Sequence, residues 1–396
     1  MLLYTWVDVE HVLSRTHDEW PSFILDVRSY WDGVSVTFFT ERIEKAREWM
    51  AELFGPSFDR ATDRILLESL EGGLPVEFEE GVKEATRTWK PTFRRRINES
   101  ALLPLPDPLS EELPAVAAFY GSKGGVGSST HAIATAQYLA NSRGAVLLID
   151  GNFGSPGITW SWLDHDAEPS IAYSDFLALI QSDPDPEASE STALCAERLK
   201  GQERDGIFVL PAFRDRERWT VPEIRPEHIA ERQSDGFVLT KFLARLGAAL
   251  GVSAVIVDLP SGLSDSSAGL MLDPRVHRVL VTNMDAQSIE GTELLLQMIA
   301  KRQPRYDHGE FPAPTVVFSM VQGDRTFVFK ATERLETAGG HLFEGARRSF
   351  IDTPYERALL SPPLSWNDRI EDLASLGFIW ECAEIPLIVM RSRDRK

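Results

Sequence analysis

The chain has 396 residues and carries 60 acidic residues against 41 lysines and arginines, so its formal net charge is −19 at pH 7. Apolar residues make up 43% and charged residues 26%, values that are typical of a globular protein and exclude a fibrous or wholly disordered chain. This acidity disfavours broad, nonspecific binding of nucleic acid by the whole surface, although a local basic patch could still bind nucleic acid.

The chain shows no sign of secretion or membrane insertion. It has two cysteines, Cys195 and Cys382, which excludes a disulfide framework and indicates a reducing compartment. Its first ten residues lack the basic and apolar regions of a secretory signal. No apolar run approaches the roughly 20 residues that a membrane-spanning helix needs. We therefore expect a cytoplasmic protein with no membrane segment.

Residues 1–98 have the pattern of a small α+β domain. The apolar or alternating runs at residues 23–27 and 34–39 predict a β-hairpin, and residues 65–78 predict a second one that turns at a glycine pair. Residues 41–54 carry apolar side chains at helical spacing and predict an amphipathic helix. No catalytic constellation appears here, so we expect a domain that docks a partner or couples to an effector.

A different pattern begins after residues 99–114, a proline-rich stretch that we interpret as a linker. Through residues 115–396, short apolar strands alternate with helical segments. The predicted strands lie at residues 115–120, 145–150, 207–212, 253–259, 278–283 and 315–320. This alternation predicts a doubly wound α/β fold, with a mostly parallel sheet covered by helices on both faces. Ligands in such folds bind beyond the carboxyl ends of the strands.

A glycine-rich turn, GSKGGVGSST at residues 121–130, joins the first of these strands to a helix. Glycine lets successive backbone N–H groups converge on an anion, and the helix N-terminus adds the positive end of its dipole. The pattern predicts a phosphate-binding loop, with a ligand-free strand–helix turn as the alternative. The predicted contacts are Gly124, Gly125, Val126, Gly127, Ser128, Ser129 and Thr130, among which Ser129 is placed to reach Mg²⁺.

The GSKGGVGSST sequence resembles the deviant phosphate loop of the ParA/MinD superfamily of P-loop ATPases, in which KGGxGK precedes Ser or Thr. Later blocks resemble the family in the same order. They are the first switch at residues 145–157, the second switch at 253–265, a strand and helix at 277–299, and a nucleotide-side loop at 350–364. The resemblance covers residues 115–364 and does not extend to the N-terminal domain.

The resemblance implies ATP and Mg²⁺ as ligands and a nucleotide-dependent homodimer. It implies that Lys123 reaches the nucleotide of the partner subunit, and that Asp150 and Asp258 organise Mg²⁺ and its waters together with Ser129. The alternatives are a solvated role for Lys123 and simple capping roles for the two aspartates.

The chain departs from the family pattern at two positions that matter for catalysis. Ser128 replaces the lysine that contacts the β- and γ-phosphates, and a hydroxyl supplies no positive charge. Asn152 stands where the family has the acidic residue that orients the attacking water, and an amide cannot act as a base. The alternatives are that Asn152 is an ordinary turn residue and that Ser128 only begins a helix.

The sequence favours two functions over a third, a family-like reductase or synthetase partner in amidation or metal-cluster delivery, which the lack of a cysteine pair and of a second catalytic motif disfavours. One is a switch that binds ATP, dimerises and regulates a protein partner, with weak or slow hydrolysis. The other is a pseudo-NTPase scaffold without turnover. The expectation that the base is adenine rests on the resemblance alone. The predicted strand that ends at Met320 lacks the asparagine with which the family often recognises adenine.

Two further features carry weaker expectations. A basic cluster at residues 90–96 is interpreted as solvated surface, with nucleic-acid or partner contact as the alternative. The apolar run at residues 385–390 favours a buried strand over an interfacial helix.

Overall fold

In a computed structural model of the chain, the described residues are 3, 6–29, 33–39, 42–67, 70–81, 105–163, 169–181, 185–214, 236–262, 265–304, 311–322, 325–344, 349–360 and 365–391. The chain divides into two compact units, Met1–Pro91 and Thr92–Lys396. The basic cluster at residues 90–96 lies outside the described residues.

The first unit is a small α+β domain built on a five-stranded sheet. Its helices are α1 (Trp6–Arg15) and α2 (Ile43–Phe54), and its strands are β1 (Ile24–Ser29), β2 (Val34–Phe39), β3 (Phe58–Asp59), β4 (Arg64–Leu67) and β5 (Leu70–Gly81). The strand order is β1-β2-β5-β4-β3, in which β2 and β5 are parallel and the other neighbours antiparallel. The predicted hairpin of β1 and β2 and the predicted helix α2 are confirmed.

One face of this sheet holds the domain core. Val34, Val36 and Phe38 alternate inward along β2, and α2 adds Trp49 and Met50 to the same cluster. The second hairpin is also present, but its predicted turn is wrong. Leu67 pairs with Leu70, so the glycine pair at residues 72–73 lies within β5 and not at the turn. Gly73 has a φ angle of 71° beside an irregularity in the pairing of β4 and β5, so the glycine serves a distortion within the strand and not the turn.

The second unit contains an eight-stranded sheet. Its strands are β6 (Ala115–Gly121), β7 (Val146–Asp150), β8 (Glu203–Arg204), β9 (Ile207–Leu210), β10 (Ala254–Asp258), β11 (His277–Thr282), β12 (Thr315–Val321) and β13 (Phe350–Pro354). They lie in the order β13-β12-β11-β6-β10-β7-β9-β8, and only β8 is antiparallel to its neighbour.

Helices cover both faces of the sheet. They are α3 (Ser128–Arg143), α4 (Gly157–Trp162), α5 (Tyr173–Gln181), α6 (Glu190–Leu199), α7 (Val238–Leu250), α8 (Asp265–Met271), α9 (Ala286–Arg302), α10 (Thr326–Gly339), α11 (Trp366–Ser375), α12 (Phe378–Glu381) and α13 (Glu384–Arg391). Val116 and Tyr120 pack with α5–α7, α9 and α10, whereas Ala117 and Phe119 pack with α3 and α11–α13. The predicted doubly wound, mostly parallel fold is confirmed.

Two segments differ from their sequence-based descriptions. The last residues of the predicted linker contribute to the second unit, because Leu113 is buried in its core. The predicted strand at residues 385–390 is wrong, since this run lies in helix α13. Ile385 and Val389 are four residues apart on the buried side of that helix, and Pro386 lies in its first turn, where proline is tolerated.

Within the described ranges, no helix is both long enough and apolar enough to cross a membrane.

Candidate functional site

The candidate site lies at the carboxyl ends of three neighbouring strands in the middle of the sheet. Strand β10 lies between β6 and β7. Its last residue, Asp258, pairs in register with Asp150 at the end of β7. Strand β6 leads directly into the glycine-rich loop and helix α3. The sheet order therefore brings together residues that are far apart in sequence.

The glycine-rich loop has a backbone conformation that requires glycine. Gly125 and Gly127 have φ angles of 79° and 92°, in the left-handed region that other residues rarely adopt. At Gly121, an added Cβ would lie 2.5 Å from the Val126 side chain. The Ser319 hydroxyl donates to the Val126 carbonyl at 2.5 Å and ties the loop to β12.

The loop presents free backbone donors. Among the described residues, the N–H groups of Gly124, Gly125 and Gly127 donate to no other protein group. Gly124 and Gly125 are also exposed. Unpaired N–H groups beside a helix N-terminus form the kind of concave site that binds anions. We refer to residues 124–130 as the phosphate cup.

Two serines of the cup converge on the aspartate at the end of β10. The Ser128 hydroxyl donates to Asp258 Oδ1 at 3.0 Å, and the Ser129 hydroxyl donates to Oδ2 at 2.5 Å. Asp258 is fully buried. Burial, together with the negative charge of Asp150, raises the pKa of Asp258 above its usual range, and the two serine hydrogen bonds only partly oppose this.

Asp150 is also buried, and its hydrogen bonds are local. Its Oδ2 accepts from the backbone N–H and the hydroxyl of Thr159, each at 2.8 Å, and its Oδ1 accepts from the Asn152 N–H at 3.1 Å. The Thr159 hydroxyl accepts in turn from the Ala212 N–H at 2.8 Å. Burial raises the pKa of Asp150. This aspartate fastens helix α4 to the ends of β7 and β9.

Asn152 makes a turn at the end of β7. Its side-chain oxygen accepts a hydrogen bond from the Ser155 N–H at 3.1 Å, which is a local turn contact. The proposed role of this residue in orienting water would require the side chain to leave that contact or to share its oxygen.

Lys123 is directed away from the cup, to helix α9. Its Nζ lies 2.5 Å from Asp285 Oδ2, and the two side chains are 30% and 41% exposed. Asp285 also caps α9 by accepting from the Ser288 N–H at 2.9 Å. The hydrogen bond from Lys123 lowers the pKa of Asp285 to about 2. In this structure Lys123 therefore makes an intramolecular ion pair.

His131 belongs to the site, and sequence reasoning missed it. Its Nδ1 lies 2.8 Å from the Gly127 carbonyl, and its Nε2 lies 2.9 Å from the Thr353 hydroxyl. Because a carbonyl oxygen can only accept a hydrogen bond, we assign the ring proton to Nδ1. Nε2 then accepts a hydrogen bond from the Thr353 hydroxyl. Burial lowers the pKa of His131 to about 4, so the ring is neutral at neutral pH. The histidine links the phosphate cup to the end of β13.

A small cavity of about 40 Å³ adjoins the cup on the His131 side. Its lining includes Gly127, Thr130, Met320, Tyr355, Leu359 and Phe378. Met320 has a φ angle of 57°, a strained value for a residue with a side chain, at an irregularity in the pairing of β12 and β13. This volume is far below the roughly 300 Å³ at which small-molecule sites begin, so a nucleobase would require the walls to move.

The donors at the strand ends are suited to a hard divalent cation. Ser129 and Asp258 offer only oxygen, and Mg²⁺ prefers oxygen ligands. Burial and the negative charge of Asp150 raise the pKa of Asp258, and a cation bound beside the two carboxylates would offset their negative charge. The described residues contain no group of three or more His, Cys, Asp or Glu side chains arranged to hold a metal. The cation would therefore need further ligands from outside these side chains, such as phosphate oxygens and waters.

The two tryptophans of helix α4, Trp160 and Trp162, have different environments. Trp162 is buried and forms an edge contact with Trp366. Trp160 is 39% exposed, and its ring meets Phe213 with centroids 5.1 Å apart.

No family model matches the chain. In sequence it is similar to the septum site-determining protein MinD of Escherichia coli K12, with 25% identity over 190 residues that span 48% of this chain and 60% of MinD. Among solved structures it is similar to a ParA family ATPase from Chlorobium tepidum, with 15% identity and a TM-score of 0.44 over 71% of this chain and 99% of that one. MinD of Pyrococcus horikoshii, solved with Mg-ADP, has 14% identity and a TM-score of 0.43 over 72% of this chain and 97% of that one. The sequence similarity to MinD supports the ParA/MinD resemblance.

Proposed function

We propose that the chain is a ParA/MinD-type switch that binds ATP with Mg²⁺, dimerises in response, and regulates a protein partner while hydrolysing ATP slowly or not at all. The observation that carries this proposal is the phosphate cup, where unpaired N–H groups, left-handed glycines and a helix N-terminus meet at the carboxyl edge of a parallel sheet. The sequence similarity to MinD supports a ParA/MinD-type nucleotide-dependent function at the level of the family.

In this proposal the phosphate tail of ATP accepts hydrogen bonds from the N–H groups of the cup. The Ser129 hydroxyl and Asp258 hold Mg²⁺, directly or through water, and Asp150 keeps the neighbouring segment in place. The metal, when bound, neutralises charge on the phosphates. A cation at this position would also lower the pKa values of Asp150 and Asp258, whose burial raises them in its absence.

Slow hydrolysis follows from two substitutions. Ser128 offers a hydroxyl where the family pattern has a lysine, so charge that builds up in the transition state is less stabilised. Asn152 holds a turn through its side-chain oxygen and provides no base for the attacking water. The chain keeps the phosphate cup but lacks both the lysine and the acidic residue of the family pattern. This combination favours binding of ATP over its hydrolysis.

Dimerisation is the proposed output of nucleotide binding. Lys123 would leave Asp285 and reach the phosphates bound by a second copy, as the ParA/MinD resemblance implies. Because the present ion pair is partly exposed, its loss costs little. Lys123 would then exchange the carboxylate of Asp285 for the phosphates of the nucleotide bound by the second copy, which carry more negative charge.

The N-terminal domain is proposed to dock a partner or couple to an effector, since no catalytic group marks it. The net charge of −19 favours a protein partner over nucleic acid. Both cysteines are buried and free, which is compatible with the proposed cytoplasmic location.

Three measurements on the full chain test the proposal. Urea unfolding with and without ATP–Mg²⁺ reports binding, because a ligand at 100 times its Kd adds about 2.7 kcal/mol to the unfolding free energy. Sedimentation velocity with the same nucleotide reports dimerisation, and phosphate release reports turnover. We expect stabilisation and dimerisation with slow release. No stabilisation at millimolar ATP–Mg²⁺ would contradict nucleotide binding.

A second candidate is a pseudo-NTPase scaffold that keeps the fold without nucleotide. It is favoured by the hydrogen bonds of the Ser128 and Ser129 hydroxyls to Asp258 and by the small size of the adjoining cavity. The same unfolding experiment discriminates between the two, since a scaffold of this kind gains no stability from nucleotide.

A further inference from the structure

A second cavity, of about 330 Å³, lies between helices α5 and α6 and shares no lining residue with the cavity beside the phosphate cup. Its wall includes Ile171, Asp175, Leu179, Leu194, Arg198 and Arg214. The volume falls in the range of about 300–1,000 Å³ that small-molecule sites occupy. Its lining combines two guanidinium groups and one carboxylate with aliphatic side chains.

One of the two arginines is held in place by the fold. Arg214 Nε lies 3.0 Å from Asp175 Oδ2. Asp175 is itself fixed, because its Oδ2 also accepts from the Ala172 N–H at 2.9 Å at the start of α5. The ion pair leaves donors of the Arg214 guanidinium available, since this group carries five N–H bonds. A positioned guanidinium of this kind is suited to carboxylate or phosphate.

The other arginine, Arg198, lies on α6 and is exposed. No acidic side chain among the described residues forms an ion pair with it. Asp175 in the same lining offsets one of the two arginines, so the lining carries a net charge of 2 − 1 = +1, which is a local reversal of sign on a chain with a net charge of −19. Such a reversal attracts small anions against the field of the rest of the surface.

The rest of the wall is apolar and partly open to solvent. Ile171 is buried, and Leu179 is half-buried. Leu194, one helical turn before Arg198 on α6, is 45% exposed. A leucine this exposed beside an arginine offers contact area to a ligand that has an apolar body behind its charge.

We propose that this cavity, the α5–α6 pocket, binds a small organic anion whose carboxylate or phosphate lies between Arg198 and Arg214 and whose apolar body packs on Leu179 and Leu194. The charged group accepts hydrogen bonds from both guanidinium groups. The aliphatic wall excludes water from the apolar body, so both parts of the ligand contribute to affinity. The site is independent of the proposed nucleotide function.

Four small-molecule probes, added to the full chain and followed by saturation-transfer NMR and calorimetry, test separately the contribution of the anionic group and that of the apolar body. Octanoate and octyl phosphate carry both the charge and the apolar body, octanol lacks the charge, and acetate lacks the body. We expect octanoate or octyl phosphate to bind with one-to-one stoichiometry, and octanol and acetate to bind at least about tenfold more weakly. The tighter of the first two identifies the preferred anionic group.

Substitutions then locate the binding site. We expect Arg198→Gln and Arg214→Gln each to weaken binding of the tighter probe by about tenfold. Lys200→Gln removes a positive charge two residues from Arg198 and should leave binding unchanged. Leu194→Glu adds a negative charge at an exposed position and should abolish binding without unfolding the chain. Absence of binding by both charged probes, equal binding of octanol, or binding that survives the arginine substitutions would overturn the proposal.

Discussion

The Ser128 hydroxyl donates a hydrogen bond to Asp258 Oδ1 at 3.0 Å. In the pattern that the loop resembles, this position holds a lysine, which would bring a positive charge to the same place. With serine, the buried carboxyl of Asp258 has two hydrogen bonds, and among the described side chains the charged group that acts on it is the carboxylate of Asp150, not a cation. Its raised pKa follows from that environment.

A lysine at position 128 tests how much the serine lowers the affinity for nucleotide. We expect Ser128→Lys to raise the affinity for ATP–Mg²⁺ by at least about tenfold, because a charge-assisted contact replaces a neutral one. Titration with a fluorescent ATP analogue measures the change. Ser142→Lys adds the same charge at an exposed position on the same helix and serves as the control. Equal affinities of the native chain and Ser128→Lys would contradict our interpretation of this position.

The buried Asp258 gives the free protein a characteristic pH dependence. Its pKa is raised in the folded state, so the folded chain holds a proton that the unfolded chain has already released. Stability therefore falls as the pH rises from the ordinary carboxyl pKa, near 4, through the raised value. We expect Asp258→Asn to remove this loss and to be more stable than the native chain at pH 8, by on the order of 1–3 kcal/mol.

Urea unfolding at a series of pH values measures that difference. Titrating groups that do not interact with Asp258, including His131, are present in both proteins and largely cancel in the comparison. Asp150 does interact with Asp258, so its own titration also changes when the charge of Asp258 is removed. Glu371→Gln neutralises an exposed carboxyl and is the control. A stability difference between native chain and Asp258→Asn that shrinks as the pH rises would show that the sign of the shift is wrong.

Substitution of Lys123 should affect dimerisation and leave the stability of the fold almost unchanged. Its ion pair with Asp285 is partly exposed, so Lys123→Gln should change the unfolding free energy by less than about 1 kcal/mol. The same substitution should abolish ATP-dependent dimerisation in sedimentation velocity, because the proposed contact with the partner's nucleotide is lost. Lys200→Gln breaks another surface pair, with Glu197, and should leave dimerisation intact. Dimerisation of Lys123→Gln equal to that of the native chain would contradict the proposed role.

His131 should stabilise the link between the cup and β13 only while it is neutral. His131→Asn can retain a donor to the Gly127 carbonyl but loses the acceptor for Thr353, and we expect it to cost about 1 kcal/mol at pH 8. The folded pKa is lowered from 6.5 to about 4, so the native chain loses stability as the pH falls through that interval. The difference between the two proteins should therefore shrink on acidification, as measured by urea unfolding. A constant difference from pH 8 to pH 4 would be inconsistent with a neutral, buried ring.

Much of the fold was predictable because it depends on local patterns. Apolar runs such as residues 145–150 and 253–259 have no polar alternation, and this indicates strands buried on both faces. The run at residues 385–390 has the same composition but forms a helix. A short apolar run carries no period that distinguishes a strand from a buried helix, so packing against α3 decides the outcome.

The candidate site was predictable where it depends on the loop itself, and less so where it depends on contacts across the fold. The glycines and Ser129 follow from the pattern of the loop. The contacts of His131 with Thr353 and of Lys123 with Asp285 join residues 222 and 162 positions apart, and no local signal reveals them. The bonds from Thr159 to Asp150 are closer in sequence, but they depend on how α4 folds back onto β7.

Amide hydrogen exchange over the phosphate cup, with and without ATP–Mg²⁺, is the most direct test of nucleotide binding. The N–H groups of Gly124, Gly125 and Gly127 have no protein acceptor among the described residues, so they should exchange rapidly in the free protein. Millimolar ATP–Mg²⁺ should slow the exchange of a peptide that covers residues 122–130 and leave the N-terminal domain unaffected. Unchanged exchange in that peptide at saturating nucleotide would contradict the phosphate cup and the proposed function with it.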